Sequence, residues 1–435
     1  MHVSRRLLAT VVSVGLLSAG PALATWSIVL VDTRTGELAI GSATCLTSFN
    51  LEFFLPVVRP MIGVGAAQSS IDSTGANRLT IWNELAKQTA PTDILTILAS
   101  QDPSHQSRQY GIIDTFGRVA TFTGAGDGQW AGGRTGQFGT IVYGIQGNVL
   151  AGACVLPPVE AAIINTPGGL PEKLMAGMEA ARAMGGDGRC SCFDEAPTMC
   201  GCPPPTFTKS AHVGFMIDAR RGDSAGTCSG SFGCANGSYY MNFNVTNGST
   251  GALDPVLQLR TQFDAFRASK IGLPDAVTSL ATSSKSSLPN DGVSTAELTI
   301  IVRDWKSTPV NVSPNITIAH DTGSASSSTV GPAMPLGGGV YKALVVAGTK
   351  VGVDRFVVTM PFSSTSKQIM PDITIAIVDP RSDLNGDGHV DLADVSIVLA
   401  HYGESGPPGG TAGDVNGDGL VDLSDLALVL EAYGT

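Results

Sequence analysis

Short apolar runs separated by turn residues fill most of the chain. Residues 25–31 and 37–44 have strand length, are rich in β-branched and other apolar residues, and flank a turn at 32–36. A further apolar run at 61–68 predicts another strand. Residues 75–88 carry a helical pattern, and Pro91 opens a second helix to residue 100, a position where the missing proline N–H does no harm. Residues 110–114 and 118–123 read as a hairpin around Phe116-Gly117, and 140–146 as a strand. A helix over 171–184 ends at Gly185-Gly186; a strand over 211–218 and a helix over 254–268 follow. Strand pairs, helices and strand pairs again predict a layered α+β domain.

The pattern then changes. Residues 271–288 are Ser-rich and read as a linker. Alternating runs at 296–302, 341–346, 355–360 and 373–378 predict a β-sandwich over 289–380. Residues 383–403 and 414–434 repeat one 21-residue unit with 13 identities, 31 positions apart.

The N-terminus has the three parts of an export signal: Arg5 and Arg6, an apolar core at 7–17 too short to span a bilayer, and Ala22-Leu23-Ala24. Residues 1–24 are therefore expected to be removed, leaving Thr25 first in a secreted or extracytoplasmic protein with no later membrane span. At 435 residues, with 14% charged residues and 53 Gly, the chain suits two or three exported β-rich domains. Of the net charge of −11, almost all lies beyond residue 381, where ten acids stand without a Lys or Arg. No basic surface points to nucleic acid.

Eight cysteines fit an oxidising compartment. Cys190, Cys192, Cys200, Cys202, Cys228 and Cys234 crowd within 189–234, which reads as a disulfide-tied surface insertion rather than a zinc site. Spacing leaves their pairing open. Cys45 and Cys154 lie apart, to pair or to stay free.

Each tail repeat begins D-x-N-G-D-G-x-V-D-L-x-D. Calcium takes six or more oxygens, which a twelve-residue loop supplies from positions 1, 3, 5, 7, 9 and 12. The first loop offers Asp383, Asn385, Asp387, the His389 carbonyl, Asp391 and Asp394; the second offers Asp414, Asn416, Asp418, the Leu420 carbonyl, Asp422 and Asp425. Gly388 and Gly419 fall where such a loop turns sharply. An apolar helix face follows each loop: Leu392, Val395, Val398, Leu399 and Tyr402, then Leu423, Leu426, Val429, Leu430 and Tyr433. This duplicated loop and single helix, over about 381–435, resembles the type I dockerin. The resemblance implies two calcium ions and a cohesin-like module on a scaffold or cell surface as partner. A calcium-tied structural cap without a partner is the alternative.

The opening of the mature chain, Thr25-Trp-Ser-Ile-Val-Leu-Val-Asp and Thr35-Gly-Glu-Leu-Ala-Ile-Gly-Ser-Ala, is similar to an uncharacterised bacterial family classed with the N-terminal-nucleophile (Ntn) hydrolases. The similarity continues through Gly63-Val-Gly-Ala-Ala-Gln68, Gln109-Tyr-Gly-Ile-Ile-Asp114, Gly117 to Gly124, Trp130-Ala-Gly and Gln146 to Gly152, and covers about residues 25–268. It implies an αββα sandwich in which Thr25 is nucleophile and its free α-amine the base. The amine, with a pKa near ~8, is partly neutral at physiological pH. Arg59, Gln68 and Asn148 are candidate electrostatic or oxyanion helpers. The Cys-rich stretch and the lack of a proteasome-type lysine depart from the pattern. More weakly, the run from Asn290 to Ile300 resembles invasin-type bacterial Ig-like domains.

Gly222-Asp-Ser224-Ala-Gly226 fits G-x-S-x-G, but a nucleophile elbow needs a helix next and a loop sequence follows. The expectation is thus a secreted N-terminal-threonine hydrolase of an amide or peptide-like bond in an unidentified small-molecule or peptide substrate, tethered by its dockerin. The alternatives are a non-catalytic extracellular binding or structural component, and a dockerin-borne carbohydrate-active protein of polysaccharide catabolism.

Overall fold

The structure, a computed structural model, describes residues 25–435 apart from 247, 314, 325, 326, 363 and 364. The expected export signal lies outside the described residues.

The first part comprises β1 (Thr25–Asp32), β2 (Glu37–Thr44), α1 (Leu51–Phe54), β3 (Pro56–Arg59), β4 (Gly63–Ser69), α2 (Ala76–Ala86), α3 (Pro91–Gln101), β5 (Arg108–Asp114), β6 (Val119–Thr123), β7 (Gly132–Phe138), β8 (Ile141–Asn148), α4 (Leu156–Asn165), α5 (Leu170–Ala183), α6 (Gly188–Ser191), β9 (Val213–Ala219), β10 (Met241–Val245) and α7 (Pro255–Ser269). The strands form a six-stranded sheet, β10-β9-β2-β1-β8-β7, and a four-stranded sheet, β3-β4-β5-β6.

The two-residue period of β1 explains the layering. Trp26, Ile28 and Leu30 face one way and pack with Leu174 and Met178 of α5 and Val159 of α4. Val29 and Val31 face the other way, against Val64 and Ala66 of β4. Beyond the small sheet, Ile81 and Leu85 of α2 and Ile94 and Leu98 of α3 close a third apolar layer on Tyr110 and Ile112. Helices therefore cover both outer faces of two stacked sheets. Every residue of β1 and β2 is buried, as expected of strands covered on both sides.

Several elements escape the hydrophobic pattern. The run at 61–68 is the second arm of a hairpin, β3–β4, because Met61 turns with φ 64°. Strand β7 is Gly-rich, polar and largely exposed at the sheet edge. Helix α4 begins with consecutive prolines, which a first helical turn accepts.

The Cys-rich stretch is not one surface insertion. Strand β9 runs through it and pairs with β2 inside the large sheet, so the cysteines sit in the segments on either side, Cys190 within α6. The bonds are Cys45–Cys190, Cys154–Cys202, Cys192–Cys200 and Cys228–Cys234. Cys45 and Cys154 thus each clamp the loop before β9 onto the body instead of pairing with each other or staying free. A metal reading of Cys45, Cys190 and His212 fails because both thiols are oxidised.

The second part holds β11 (Leu280–Ser283), β12 (Ser287–Pro289), β13 (Thr295–Ile301), β14 (Thr317–His320), β15 (Thr329–Val330), β16 (Met334–Gly337), β17 (Val340–Val346), β18 (Gly352–Phe362), β19 (Thr365–Gln368) and β20 (Ile373–Val378). Two five-stranded sheets, β11-β13-β17-β15 with β16 and β12-β20-β18-β14 with β19, enclose a core of Leu298, Ile300, Val345, Phe356, Val358 and Ile375. The stretch expected as a linker contributes β11, which pairs with β13, and β12, which pairs with β20 and sends Leu288 into the core. The tail adds α8 (Leu392–Ala400) and α9 (Leu423–Glu431), joined through Val395, Val398, Val421 and Val429.

Candidate functional sites

The two acidic loops fold alike. Asp394 Oδ1 accepts the N–H groups of Leu384 and Asn385 at 2.8 and 3.2 Å, and its Oδ2 accepts Asp391 N–H at 2.8 Å. Asp425 does the same with Val415, Asn416 and Asp422 at 2.8, 3.0 and 2.9 Å. Asp383 receives Gly386 and Gly388, and Asp414 receives Asp418 and Gly419. Asn385 and Asn416 bridge to Asp387 and Asp418 at 2.9 Å. Asp391 and Asp422 are the N-caps of α8 and α9. Gly388 and Gly419 turn with φ 87° and 90°, a region that favours glycine.

These bonds gather carboxylates that repel one another into one small loop each. A carboxylate has about four lone-pair sites, so backbone contacts leave room for a cation. The donors are all oxygen, the set a hard cation such as calcium prefers. The residues fit that ion: Asp383, Asn385, Asp387, the His389 carbonyl, Asp391 and Asp394 would hold it in the first loop, and their counterparts in the second. Bound there, it would supply the charge that lets the acids stand together.

The helix faces divide. Val395, Val398 and Val429 turn inward, whereas Leu392, Leu399 and Tyr402 are 66%, 55% and 47% exposed. Their repeat equivalents, Leu423, Leu430 and Tyr433, are exposed to 68%, 53% and 51%. The apolar period therefore serves two purposes: half closes the small core and half forms a duplicated surface patch.

In the first part, the space between the two sheets is apolar along most of its length and polar at one end. Thr25 opens β1 opposite Asn148, and Ser27 lies opposite Gln146. Gln68 of β4 lies opposite Gln109 of β5. All six are buried. Ser27 Oγ donates to Gln68 Oε1 and accepts from Gln146 Nε2 at 3.0 Å. Gln68 Nε2 donates to the Thr25 carbonyl at 2.9 Å and to Gln109 Oε1 at 2.8 Å. Gln109 Nε2 in turn reaches Thr123 Oγ1 and the Gly147 carbonyl, both at 2.9 Å. Asn148 Nδ2 donates to Ser69 Oγ at 3.2 Å.

The structure thus brings Gln68 and Asn148 to Thr25. Both Gln68 N–H groups are already engaged, which makes it a clamp on the Thr25 backbone rather than an oxyanion donor. Arg59 is not brought there. It pairs in register with Gly63, at the opposite end of β4 from Gln68 and roughly 17 Å away along the strand. Its guanidinium stacks over Trp82 at 4.5 Å and donates to the Trp82 carbonyl. Ser27, Gln109 and Gln146 went unnoticed in the sequence. The signal was there: three polar residues at inward positions of strands otherwise built from apolar ones. Ser224 makes an isolated bridge with Ser238 in a loop, and no helix follows it.

Residues 25–192 match the model of a family of unknown function, DUF1028, and residues 381–432 match the type I dockerin domain. Domains of the latter type bind calcium and imply a cohesin partner. No curated protein matches. Among solved structures, a Silicibacter pomeroyi protein of the DUF1028 family is 17% identical, over 56% of this chain and 85% of its own, with a TM-score of 0.41. The Yersinia pseudotuberculosis adhesin InvE is 21% identical over 25% of this chain and 28% of its own, with a TM-score of 0.21. Invasin, a bacterial integrin-binding protein, is 10% identical over 82% and 54%, with a TM-score of 0.20. None of the described helices is long and apolar enough to cross a membrane.

Proposed function

For a chain that joins a DUF1028 domain to a type I dockerin domain, we propose a secreted N-terminal-threonine hydrolase of an amide or peptide-like bond, carried by its dockerin to a cohesin-bearing partner. The supporting observation is the polar end of the sandwich interior. Burying hydroxyls and carboxamides between sheets is unfavourable unless they are satisfied and useful. Here they converge on the one residue that processing after Ala24 would turn into a free amine beside a hydroxyl.

In this reading Thr25 Oγ1 attacks the carbonyl carbon while the α-amine takes the hydroxyl proton. That proton passes to the departing amine, leaving an ester on Thr25. Water, activated by the same amine, then releases the acid and restores the hydroxyl. Gln68 holds the Thr25 carbonyl, so the nucleophile is aimed by a strand rather than by a loose terminus. Asn148, opposite Thr25 in the β1–β8 ladder, is the residue nearest in register to help with charge developing on the carbonyl oxygen. Two calcium ions, one per loop, hold the dockerin in shape for its partner. The αββα fold is the Ntn architecture, and the Ig-like sandwich spaces the two functions.

The test starts with the N-terminal residue of the exported protein, expected to be Thr25. On a panel of amides, peptides and acyl-sugars, Thr25→Ser should retain activity and Thr25→Ala should lose it with the fold intact. One residue added before Thr25 should also abolish turnover, since the amine becomes an amide. Full activity in Thr25→Ala would end the proposal.

A further inference from the structure

Each tail loop holds an Asn-Gly pair at its third and fourth positions, Asn385-Gly386 and Asn416-Gly417. Asparagine is a thermolabile residue, because the next backbone nitrogen can attack its side-chain amide carbon. A glycine after it puts no Cβ in the way of that attack. The fold requires the glycine all the same: φ is 74° at Gly386 and 72° at Gly417, in the left-handed region. Both asparagines are exposed, so water reaches them.

The folded loop keeps the reacting groups occupied. Asn385 Oδ1 accepts Asp387 N–H at 2.9 Å, and its Nδ2 donates to Asp387 Oδ2 at 2.9 Å. The attacking nitrogen, Gly386 N, donates to Asp383 Oδ1 at 2.9 Å. In the second loop Asn416 Oδ1 accepts Asp418 N–H at 2.8 Å, and its Nδ2 donates to Asp418 Oδ2 at 2.9 Å. The groups that do the holding are carboxylates of an acidic loop. They repel one another, and a cation among them is what keeps them together.

Resting on the two-calcium reading, we infer that Asn385 and Asn416 are modification sites guarded by calcium: when the ion leaves, the loop opens and the asparagine deamidates through its own backbone. Gly386 N forms a bond to Asn385 Cγ and gives up its proton. The Cγ–Nδ2 bond breaks, and ammonia departs with that proton, leaving a succinimide ring. Water then opens the ring. Cleavage of the new Cγ–N bond gives aspartate, and cleavage of the old main-chain bond gives isoaspartate. The second product routes the chain through the side chain and adds a methylene to it. Every later ligand in the loop is then out of step with Asp383, so calcium does not return. Time spent without calcium is thereby written permanently into the tail.

The test ages the mature full-length protein at mildly alkaline pH, with calcium or with chelator, and follows the two loops by peptide mass and isoaspartate content. Conversion of Asn385 and Asn416 should run about tenfold or more faster in chelator, since the reaction draws on the opened loop. Asn236-Gly237 is the internal control. Its carboxamide bonds to Thr227 and to the Phe232 carbonyl, not to carboxylates, so its rate should be the same in both samples. Returned to calcium, the aged protein should have lost uptake in titration calorimetry in step with its isoaspartate. Asn385→Asp with Asn416→Asp has no ammonia to release there and should bind calcium equally before and after the same treatment. Equal conversion with and without calcium, or full uptake by protein carrying isoaspartate in both loops, overturns the inference and leaves the calcium loops standing. Fresh protein that takes up no calcium overturns the two-calcium reading, and the guard falls with it.

Discussion

At the scale of single residues, the polar end of the sandwich trades stability for arrangement. Asp127, buried in the loop between β6 and β7, is the plainest case. Its folded pKa, about 6, lies above the ordinary aspartate value, so the native state binds a proton more tightly than the unfolded one. The sign follows: the ionised carboxylate weakens the fold above pH 6, and that penalty vanishes below pH ~4, where both states are protonated. Asp127→Asn should therefore raise unfolding stability at pH 7.5 by about 1–2 kcal/mol after allowance for solvent screening, and by nearly nothing at pH ~4. Urea unfolding at the two values checks this. Packing at the same end is just as tight. A Cβ on Gly111 would lie 1.9 Å from Gln146 Oε1, so Gly111→Ala should destabilise by about 1–3 kcal/mol and break the Ser27–Gln146 contact. Thermal unfolding together with a structure of the variant would show both effects.

Among elements, the tail repeats do most by themselves. A loop feeds a helix whose first turn is capped by the loop's own position-9 and position-12 acids, so cation binding and helix formation are one event. Asp383→Ala with Asp414→Ala should abolish calcium uptake in titration calorimetry and leave the helical signal of the tail insensitive to chelator. The exposed residues make a separate prediction. Leu399→Ala with Leu430→Ala should weaken a cohesin partner by about 2 kcal/mol or more while leaving calcium binding unchanged, because these side chains face solvent. Disulfides act between elements. Cys45–Cys190 spans 145 residues and ties the end of β2 to α6. Replacing both with serine should lower stability by about 2–5 kcal/mol, and thiol titration of the intact protein should find no free thiol.

Across the whole molecule, the first part and the β-sandwich meet through a buried ionic junction. Arg220 Nε donates to Glu37 at 2.6 Å and to Asp218 at 3.1 Å, and Nη1 to Asp275 at 2.9 Å. Its guanidinium lies 3.5 Å over the Tyr240 ring, and Tyr240 donates to the same Asp275 oxygen. Arg34 adds bonds to the carbonyls of Val277 and Met370, and Trp305 donates to the Arg267 carbonyl. The sandwich is therefore gripped, not hung on a flexible tether. Asp275→Ala leaves Arg220 short of a partner and should cost about 3–5 kcal/mol, read as a single calorimetric transition splitting into two. Burial raises the carboxyls of both Glu37 and Asp218. Raised folded values mean stability that is complete below pH ~4 and declines as pH rises through the folded values, so mild acid should hold the junction most firmly.

The dockerin module was legible because its acids recur within twelve consecutive positions, where spacing alone sets geometry. The layered class of the first part and the strands of the second were legible too, since alternation records which faces are buried. The sequence equally named Thr25, Gln68 and Asn148 as candidates. Only the fold decided that these three converge while Arg59 goes to Trp82, at the far end of the sheet. It also decided that Cys45 and Cys154 clamp the loop before β9, and that Leu399 and Leu430 face outward while Val398 and Val429 close the core. In each case the deciding fact is a contact between distant parts of the chain. Strand β1 meets β8 more than a hundred positions away, and the pairing register sets which polar side chain lies opposite the threonine.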